Sequence, residues 1–348
     1  MRRGRYRWAA WSAAAVGGAA LLAAGWLWLL LALPAGTGPR QSVIVGKDAS
    51  LRFVARRLKQ KGLIRSEVAF RLAAYRNWRQ VRQGEYLLSP SMNTLEIVGR
   101  MAGGHVYAYW VTVPEGFTTA QIAGLLAERG IASRGEFLAA ATAGRMLASD
   151  FPLRAGSLEG YLFPDTYRLL PGPEAAQTLA AQMVARFDEM VWKGLLQGRQ
   201  PQGGLTLHEL ITLASLVEGE AKKDSERDLI AGVLMNRLRL GMKLQCDATV
   251  QYALGGRKPR LMNADLDVAS PYNTYLHEGL PPGPINNPGL ASIRAALHPR
   301  QTDLLYYVAR PDGTHIFSRT LAEHEAAKAR VRRLSNTPGA ATKPRGGK

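Results

Sequence analysis

A single cysteine, Cys246, occurs among the 348 residues, so the chain cannot form an internal disulfide. Several motifs for nucleotide binding and for nucleophilic catalysis are also missing. The sequence contains neither a Walker loop nor a G-x-S-x-G elbow, and it lacks the S-x-x-K pattern of penicillin-binding transpeptidases. These absences argue against phosphoryl transfer on a Walker loop and against acyl transfer by a serine of either kind.

Metal ligands are sparse in the sequence. His208 and Glu209 begin the pattern of a zinc-binding helix, but Thr212 stands where the second histidine would be. The six histidines are scattered along the chain. We therefore predict no metal site and no cofactor, which leaves acid catalysis by a carboxyl group, as in glycosidases, as the chemistry to consider.

Acidic residues are few, with 27 Asp and Glu against 45 Lys and Arg, and the formal net charge is +18. Seven basic residues and no acidic ones lie between Lys328 and Lys348, and residues 335–348 are predicted to form a disordered tail. Nucleic-acid binding is one interpretation of such a charge. The export signal described next argues against it, and attraction to anionic lipid or to an anionic wall polymer explains the charge more simply.

Charged residues are absent between Arg7 and Arg40. Residues 8–33 would extend about 39 Å as a helix, which exceeds the roughly 30 Å of a hydrocarbon core. A cleaved signal peptide is the alternative, but its apolar region would be only about 7–15 residues long. We therefore predict a single transmembrane helix in the plasma membrane, with residues 1–7 in the cytoplasm, residues 34–41 as a flexible linker and the remainder exported.

Two similar segments follow this linker. Residues 45–64 align with residues 113–132 at a constant offset of 68, and each has the pattern of a strand, a turn and an amphipathic helix that ends at a glycine. We predict a pair of small α+β modules over residues 42–150, suited to binding or spacing and not to chemistry because neither copy gathers ionisable groups. Helices and a closing hairpin follow, so the fold class of the chain is predicted to be α+β.

One helix is predicted to carry a functional carboxyl group. Thr206 and Glu209 form a capping box, so the helix should start there. Ile211 and Ala214 recur at helical spacing on its core-facing side, and the next position on that side is Glu218. Burial beside aliphatic side chains disfavours the charged form of a carboxyl group, which suits a general acid. On spacing alone, a half-exposed structural glutamate near the helix end is the alternative.

Loops rich in glycine, proline and tyrosine flank this helix on both sides in the sequence. Long loops in a compact domain are commonly functional. Tyrosine rings are flat amphipathic surfaces on which sugars can stack, and amide, carboxylate and hydroxyl groups can bind sugar substituents. The candidate residues for a carbohydrate groove are Gln245, Asp247, Thr249, Tyr272, Asn273 and Tyr275, with Glu159 as a weaker one.

Several motifs occur in a fixed order that resembles a known family. They are LEGYLFPDTY (158–167), LASLVEGEA (213–221), SERD (225–228), NRLRLGMKLQCDATVQYALG (236–255), YNTYLHEGLPPGPI (272–285) and NPG (287–289). This set resembles the endolytic murein transglycosylases, also called the MltG or YceG-like family, from the anchor to about Leu334. The resemblance implies an exported peptidoglycan lyase with LysM-like modules before a catalytic domain, here residues 151–334, and it places the family's catalytic glutamate on Glu218.

The resemblance makes nascent peptidoglycan strands the expected substrate and peptidoglycan synthases candidate partners. In the implied mechanism, Glu218 protonates the bridging oxygen of the β-1,4 bond between N-acetylmuramic acid and N-acetylglucosamine. It then deprotonates the C6 hydroxyl of the same sugar, which closes a 1,6-anhydro ring and limits strand length. Glu220 lies about 200° round the helix and is interpreted as structural. Two alternatives remain: a muramidase with Asp247 or Glu220 as second carboxylate, and a non-catalytic wall-binding scaffold.

Overall fold

The structure is a computed structural model that describes residues 3–46, 49–142, 150–153, 156–170, 172–201, 204–256, 258 and 261–336, with side chains from residue 16 to residue 333. Its helices are α1 (Arg3–Ala32), α2 (Leu51–Gln60), α3 (Glu67–Ala74), α4 (Thr94–Ala102), α5 (Thr119–Glu128), α6 (Arg134–Thr142), α7 (Ala175–Phe187), α8 (Leu207–Glu220), α9 (Arg227–Arg239), α10 (Asp247–Ala253), α11 (Leu290–Leu297) and α12 (Leu321–Asn336). The strands pair two by two as β1 (Gln41–Val45) with β2 (Gly84–Leu88), β3 (Tyr109–Thr112) with β4 (Thr166–Leu169), and β5 (Tyr306–Ala309) with β6 (His315–Ser318). This mixture confirms the predicted α+β class.

The chain divides into two compact units. The first unit contains Met1–Val111 and Arg168–Gly172, and the second contains Thr112–Tyr167 and Pro173–Lys348. The sequence analysis places a domain boundary at residue 150, whereas the second of the two aligned segments groups here with the C-terminal part of the chain.

Backbone hydrogen bonds explain why that segment belongs to the second unit. Val113 N donates to Asp165 O (2.9 Å), and Gly116 N donates to Asn287 O (2.9 Å). The reciprocal bond from Asn287 N to Phe117 O is 3.0 Å long. These bonds join positions far apart in the sequence, so a repeat pattern alone could not reveal them.

The first unit is built on the antiparallel pair β1 and β2, in which Val43 lies opposite Tyr86. One core cluster buries both side chains together with Leu58 of α2, Phe70 of α3 and Ile97 of α4. Such a cluster stabilises a small module because each of these side chains contributes about 1.5–3 kcal/mol on full burial.

Residues 34–40 have no regular secondary structure but are hydrogen bonded. Gly36 N donates to Pro90 O (3.0 Å), and Arg65 Nε donates to Pro34 O (2.7 Å). These contacts differ from the flexible linker that the glycine and proline content predicts, because the backbone groups find partners in the first unit.

Helix α8 begins at Leu207, directly after its predicted capping residue Thr206. Thr206 Oγ1 accepts a hydrogen bond from Glu209 N (3.3 Å), and Glu209 Oε2 accepts one from Thr206 N (2.8 Å), which confirms the predicted capping box. All residues from Leu210 to Val217 are buried, so the helix is enclosed on all sides and not along one stripe alone.

Among the described residues, none of the helices combines the length and the apolar character needed to cross a membrane. The side chains of residues 8–15, at the start of the predicted anchor, lie outside the described residues. The same is true of residues 337–348 in the predicted tail, whereas residues 335–336 close α12.

Candidate active site

The carboxyl group of Glu218 lies in the last turn of α8, and its side chain is 8% exposed. Its Oε2 accepts a hydrogen bond from Gly289 N (3.1 Å) and another from Ser292 Oγ (2.7 Å). Gly289 is the N-cap of α11, and the free N–H groups of a helix start carry partial positive charge. The fold therefore brings the start of one helix to the acidic end of another.

A buried arginine also faces this carboxyl group. Arg227 Nη1 lies 3.3 Å from Glu218 Oε2 and donates to Ser292 Oγ. Arg227 Nε donates a hydrogen bond to Asp224 Oδ1 (3.1 Å). The sequence analysis expects aliphatic surroundings for Glu218, and the structure corrects this by adding a positive charge. Arg227 belongs to the SERD motif, but no spacing rule connects it with Glu218.

A second carboxyl group, that of Glu115, lies beside the same site. Gly289 makes room for it, because a Cβ atom there would overlap the Glu115 carboxyl group. A Cβ atom at Gly116 would lie 3.4 Å from Glu218 Cγ. Partial burial raises the pKa of Glu115, and the negative charge of Glu218 raises it further. No sequence signal pointed to Glu115, which lies in a segment interpreted as a binding module.

Asn287 connects the loops that surround this site. Its side-chain oxygen accepts hydrogen bonds from Gly160 N (2.8 Å) and Leu162 N (2.9 Å). Its side-chain nitrogen donates to Phe117 O (2.9 Å) and to Glu159 Oε1 (3.0 Å). All four hydrogen-bonding positions of the amide are therefore used, and the side chain is fully buried.

Glu159, predicted as a weak groove residue, is buried against this network. Both of its carboxylate oxygens accept hydrogen bonds from Thr119 N, at 3.0 and 3.1 Å. Burial raises the pKa of Glu159 to about 7, although these hydrogen bonds oppose the rise. Its contacts support the loops around the site.

Glu220 and Asp247 lie on a different side of α8 from the partners of Glu218. Glu220 Oε1 accepts a hydrogen bond from Ala248 N (3.3 Å) at the start of α10, and Asp247 Oδ1 accepts one from Tyr275 OH (2.6 Å). Burial raises the pKa of Glu220 to about 7, and the charge of Asp247 adds to the rise. This arrangement fits the structural role predicted for Glu220.

The other predicted groove residues shape the loop after α9. Thr249 and Asn273 are fully buried, and Thr249 Oγ1 donates to Cys246 O (2.7 Å). Asn273 Nδ2 donates to two backbone oxygens of its own loop. Gln245 adopts φ +52° and accepts a hydrogen bond from Arg237, while the ring centroid of Tyr272 lies 4.9 Å from that of Tyr252.

Within the part of the chain that the structure describes, no group of three or more His, Cys, Asp or Glu residues could hold a metal ion. The ionisable groups around Glu218 are instead carboxyl groups and one arginine, which is a combination suited to proton transfer.

Comparisons with known proteins identify the family of this chain. The YceG-like family model matches residues 43–330. A Bacillus subtilis (strain 168) protein named endolytic murein transglycosylase is 35% identical over 302 residues, which cover 82% of this chain and 83% of that protein. A Streptococcus pneumoniae R6 protein of the same name is 30% identical over 341 residues, covering 85% of this chain and 61% of that protein.

A solved structure agrees with these matches. The 2.6 Å crystal structure of a YceG-like protein from Listeria monocytogenes aligns with a TM-score of 0.64 at 33% identity, over 83% of this chain and 98% of that chain. The matches extend over both compact units, and the chain belongs to the YceG-like family.

Proposed function

We propose that this chain is an endolytic murein transglycosylase that cleaves the β-1,4 bond between N-acetylmuramic acid and N-acetylglucosamine. The observation that carries the proposal is the fixed carboxyl group of Glu218, held by donors from α9 and α11, at the position to which the sequence resemblance assigns the family's catalytic glutamate. The names of the bacillar and pneumococcal relatives support the same activity.

The geometry leaves one oxygen of Glu218 for the substrate. Within the described residues, the hydrogen bonds to this carboxyl group all reach Oε2, so Oε1 can carry the proton that is given to the leaving oxygen. As the C1–O bond breaks, positive charge develops on the sugar ring. The ionised Glu218 then takes the proton of the C6 hydroxyl while O6 bonds to C1, and the enzyme returns to its protonated state. Arg227 and Ser292 stabilise the carboxylate between these two proton transfers.

This route needs one residue that acts first as acid and then as base, and it needs no activated water. A muramidase needs a second carboxylate on the other side of the glycosidic bond. The nearby contacts of Asp247 and Glu220 are with Tyr275 and α10, which disfavours either as that second group. Mass spectrometry of purified peptidoglycan digested by the full-length protein separates the alternatives. We expect 1,6-anhydro ends. Reducing ends would support a muramidase, and intact strands would support a scaffold.

We further propose that residues 8–33 form the membrane anchor, with the N-terminus in the cytoplasm and the chain after residue 33 outside. The uncharged run supports this, as do Leu21, Leu22 and Trp26 of α1, which are 66–77% exposed and would suit lipid better than water. Proteinase added to spheroplasts should degrade the chain after residue 33, while carbonate washing of untreated membranes should leave the protein in the membrane. Release by carbonate would contradict the anchor.

The region over residues 42–150 is proposed to act as LysM-like modules that hold nascent glycan strands near the active site. The strand-and-helix pattern of the first unit supports this role. Peptidoglycan synthases are the proposed partners, because an enzyme that limits strand length acts where strands are made. Binding of the full-length protein to insoluble peptidoglycan should persist when activity is removed at Glu218. Loss of binding in that variant would contradict a separate binding role.

A further inference from the structure

The C-terminal end of α1 is packed onto the first unit. Thr94 Oγ1, at the start of α4, donates a hydrogen bond to Leu30 O (3.2 Å), and α1 contacts both α3 and α4. The half-buried side chains of α1 include Leu27, Leu30 and Leu31, which lie on one face of its last two turns. Helices α3 and α4 therefore lie beside the end of the segment that we propose as the membrane anchor.

The chain that leaves α1 is hydrogen bonded to the same unit. Gly36 N donates to Pro90 O (3.0 Å), and Arg65 Nε, just before α3, donates to Pro34 O (2.7 Å). These bonds hold the first unit close to the end of α1. With residues 8–33 across a bilayer, α3 lies at the level of residues 27–33, which rise about 9 Å along the helix. That depth matches the roughly 5–10 Å by which an interfacial helix enters a bilayer.

Helix α3 exposes an apolar stripe on the face that does not pack into the core. Val68, Leu72 and Tyr75 follow one another at spacings of four and three residues, and they are 62, 60 and 76% exposed. On the other side of the helix, Phe70 and Ala74 are buried in the core cluster of the first unit. Adjacent large apolar side chains in contact with solvent mark an interaction surface.

The charge around this stripe indicates the kind of partner. Residues 49–111 contain eleven Lys and Arg residues against three Glu and no Asp. Arg71 is exposed on α3, and Arg76 and Arg79 are exposed in the segment that follows it. Within the part of the chain that the structure describes, none of these three arginines forms an ion pair. Basic side chains around an apolar helix face are typical of helices that bind anionic membranes.

We propose that α3 docks on the outer leaflet of a bilayer that contains anionic lipid. Val68, Leu72 and Tyr75 enter the leaflet beside the end of α1. Arg71 and Arg76 bind the phosphates of the lipid headgroups. The inference rests on the membrane anchor proposed above and goes beyond it, because an anchor alone leaves the first unit in water. An anionic wall polymer would account for the arginines, but it offers no hydrocarbon to the apolar stripe.

The test is spin labelling of the full-length protein in vesicles of phosphatidylcholine, with and without phosphatidylglycerol. One protein carries a nitroxide at Leu72→Cys, and a control carries it at Leu321→Cys, a leucine of the second unit that is 58% exposed and has Glu323 nearby in the sequence. Cys246 is buried, so the label is directed to the introduced cysteine. Collisions of the nitroxide with oxygen report lipid, and collisions with a water-soluble nickel chelate report water.

In vesicles with phosphatidylglycerol, the ratio of oxygen to chelate collisions should be several-fold higher at position 72 than at position 321. This ratio should fall in vesicles of phosphatidylcholine alone. It should also fall when Arg71→Gln and Arg76→Gln are combined with the label, because each basic side chain near an anionic surface contributes about fivefold to binding. Val68→Cys, on the same stripe, should give the same result as Leu72→Cys, and unchanged melting temperatures would exclude misfolding.

Equal collision ratios at positions 72 and 321 would overturn the inference. So would a label at position 72 that stays in water and is immobilised only by added peptidoglycan, since the partner would then be the wall polymer. A label at Leu22→Cys in α1 tests the anchor separately. Lipid contact at position 22 with water at position 72 would remove the docking and leave the anchor, whereas water at position 22 would overturn the anchor itself.

Discussion

Ser292 Oγ donates to Glu218 Oε2 at 2.7 Å and at the same time accepts a hydrogen bond from Arg227. One hydroxyl group therefore connects α8, α9 and α11. Its orientation is fixed because it accepts a hydrogen bond from Arg227 on one side and donates one to Glu218 on the other. Holding a reactive carboxyl group in one geometry is a major part of what an enzyme contributes to proton transfer.

Replacing Ser292 by alanine should lower kcat/KM by roughly tenfold, because Glu218 loses a hydrogen bond and Arg227 loses an acceptor. Ser215→Ala is a matched control, since Ser215 is also fully buried, lies on α8 and makes its own hydrogen bonds. Both variants should lose comparable stability in thermal melting, on the order of 1–2 kcal/mol. If the two variants retain equal activity, Ser292 does not orient the acid.

Glu218→Gln should remove activity while keeping the fold. The amide is nearly isosteric with the carboxyl group but cannot protonate the leaving oxygen, so a loss of several orders of magnitude is expected. Glu209→Gln is the matched control on the same helix, because glutamine also completes a capping box. Release of muropeptides should be measured for both. Near-normal release by a folded Glu218→Gln protein would remove this residue from the mechanism.

The sequence predicted features that depend on local pattern. The start of α8, its capping box and the closing hairpin of β5 and β6 all follow from periodicity and turn residues over short stretches. Helical spacing also singled out Glu218 as the carboxyl group next on the core-facing side of α8. Each of these signals spans fewer than about 20 residues of chain.

The surroundings of Glu218 could not be predicted in this way. Gly289 and Ser292 lie 71 and 74 residues further along the chain, and Glu115 lies in the earlier aligned segment. Periodicity describes which side of a helix is buried but not which distant loop covers it. The arginine beside Glu218 was missed for the same reason, since one basic residue among 45 carries no special signal.

Asn287→Ala should destabilise the protein more than any groove substitution. It removes four hydrogen bonds from a fully buried position and leaves the amides of Gly160 and Leu162 without acceptors. A loss on the order of 3 kcal/mol is expected, seen as a melting temperature about 5–10 °C lower. Asn286→Ala removes a single hydrogen bond, to Ser215 O, and should cost about 1 kcal/mol. Equal melting temperatures for the two variants would contradict the role of Asn287.

Two truncations test the hydrogen-bonded segment after the proposed anchor. Deleting residues 1–33 keeps the bonds from Ser89 Oγ to Gly38 O (3.1 Å) and from Arg65 Nε to Pro34 O (2.7 Å), whereas deleting residues 1–40 removes them. The shorter protein should melt a few degrees lower, since each lost bond contributes roughly 1 kcal/mol. Both should cleave peptidoglycan in solution, because Glu218 lies in the other unit. Identical melting curves would indicate that residues 34–40 contribute nothing.

The last prediction concerns the stability of the fold against pH. Burial, aided by the charge of Asp247, raises the pKa of Glu220 from 4.5 to about 7, while the Ala248 amide and Lys222 oppose the rise. Between these two pH values the folded protein binds more protons than the unfolded chain, so the free energy of unfolding must fall as pH rises. A shift of this size corresponds to a change in the free energy of unfolding on the order of 3 kcal/mol.

The melting temperature should therefore decrease between pH 5 and pH 8, and Glu159 should contribute in the same direction because its pKa is also raised to about 7. The glutamine in Glu220→Gln cannot ionise, so the variant should lack the part of this decrease that Glu220 contributes. The variant should therefore melt at a higher temperature than the unaltered protein at pH 8. Glu278→Gln, at an exposed position, should leave the pH dependence unchanged. A Glu220→Gln protein whose melting temperature falls with pH as steeply as the unaltered protein would show that Glu220 ionises without cost in the folded state.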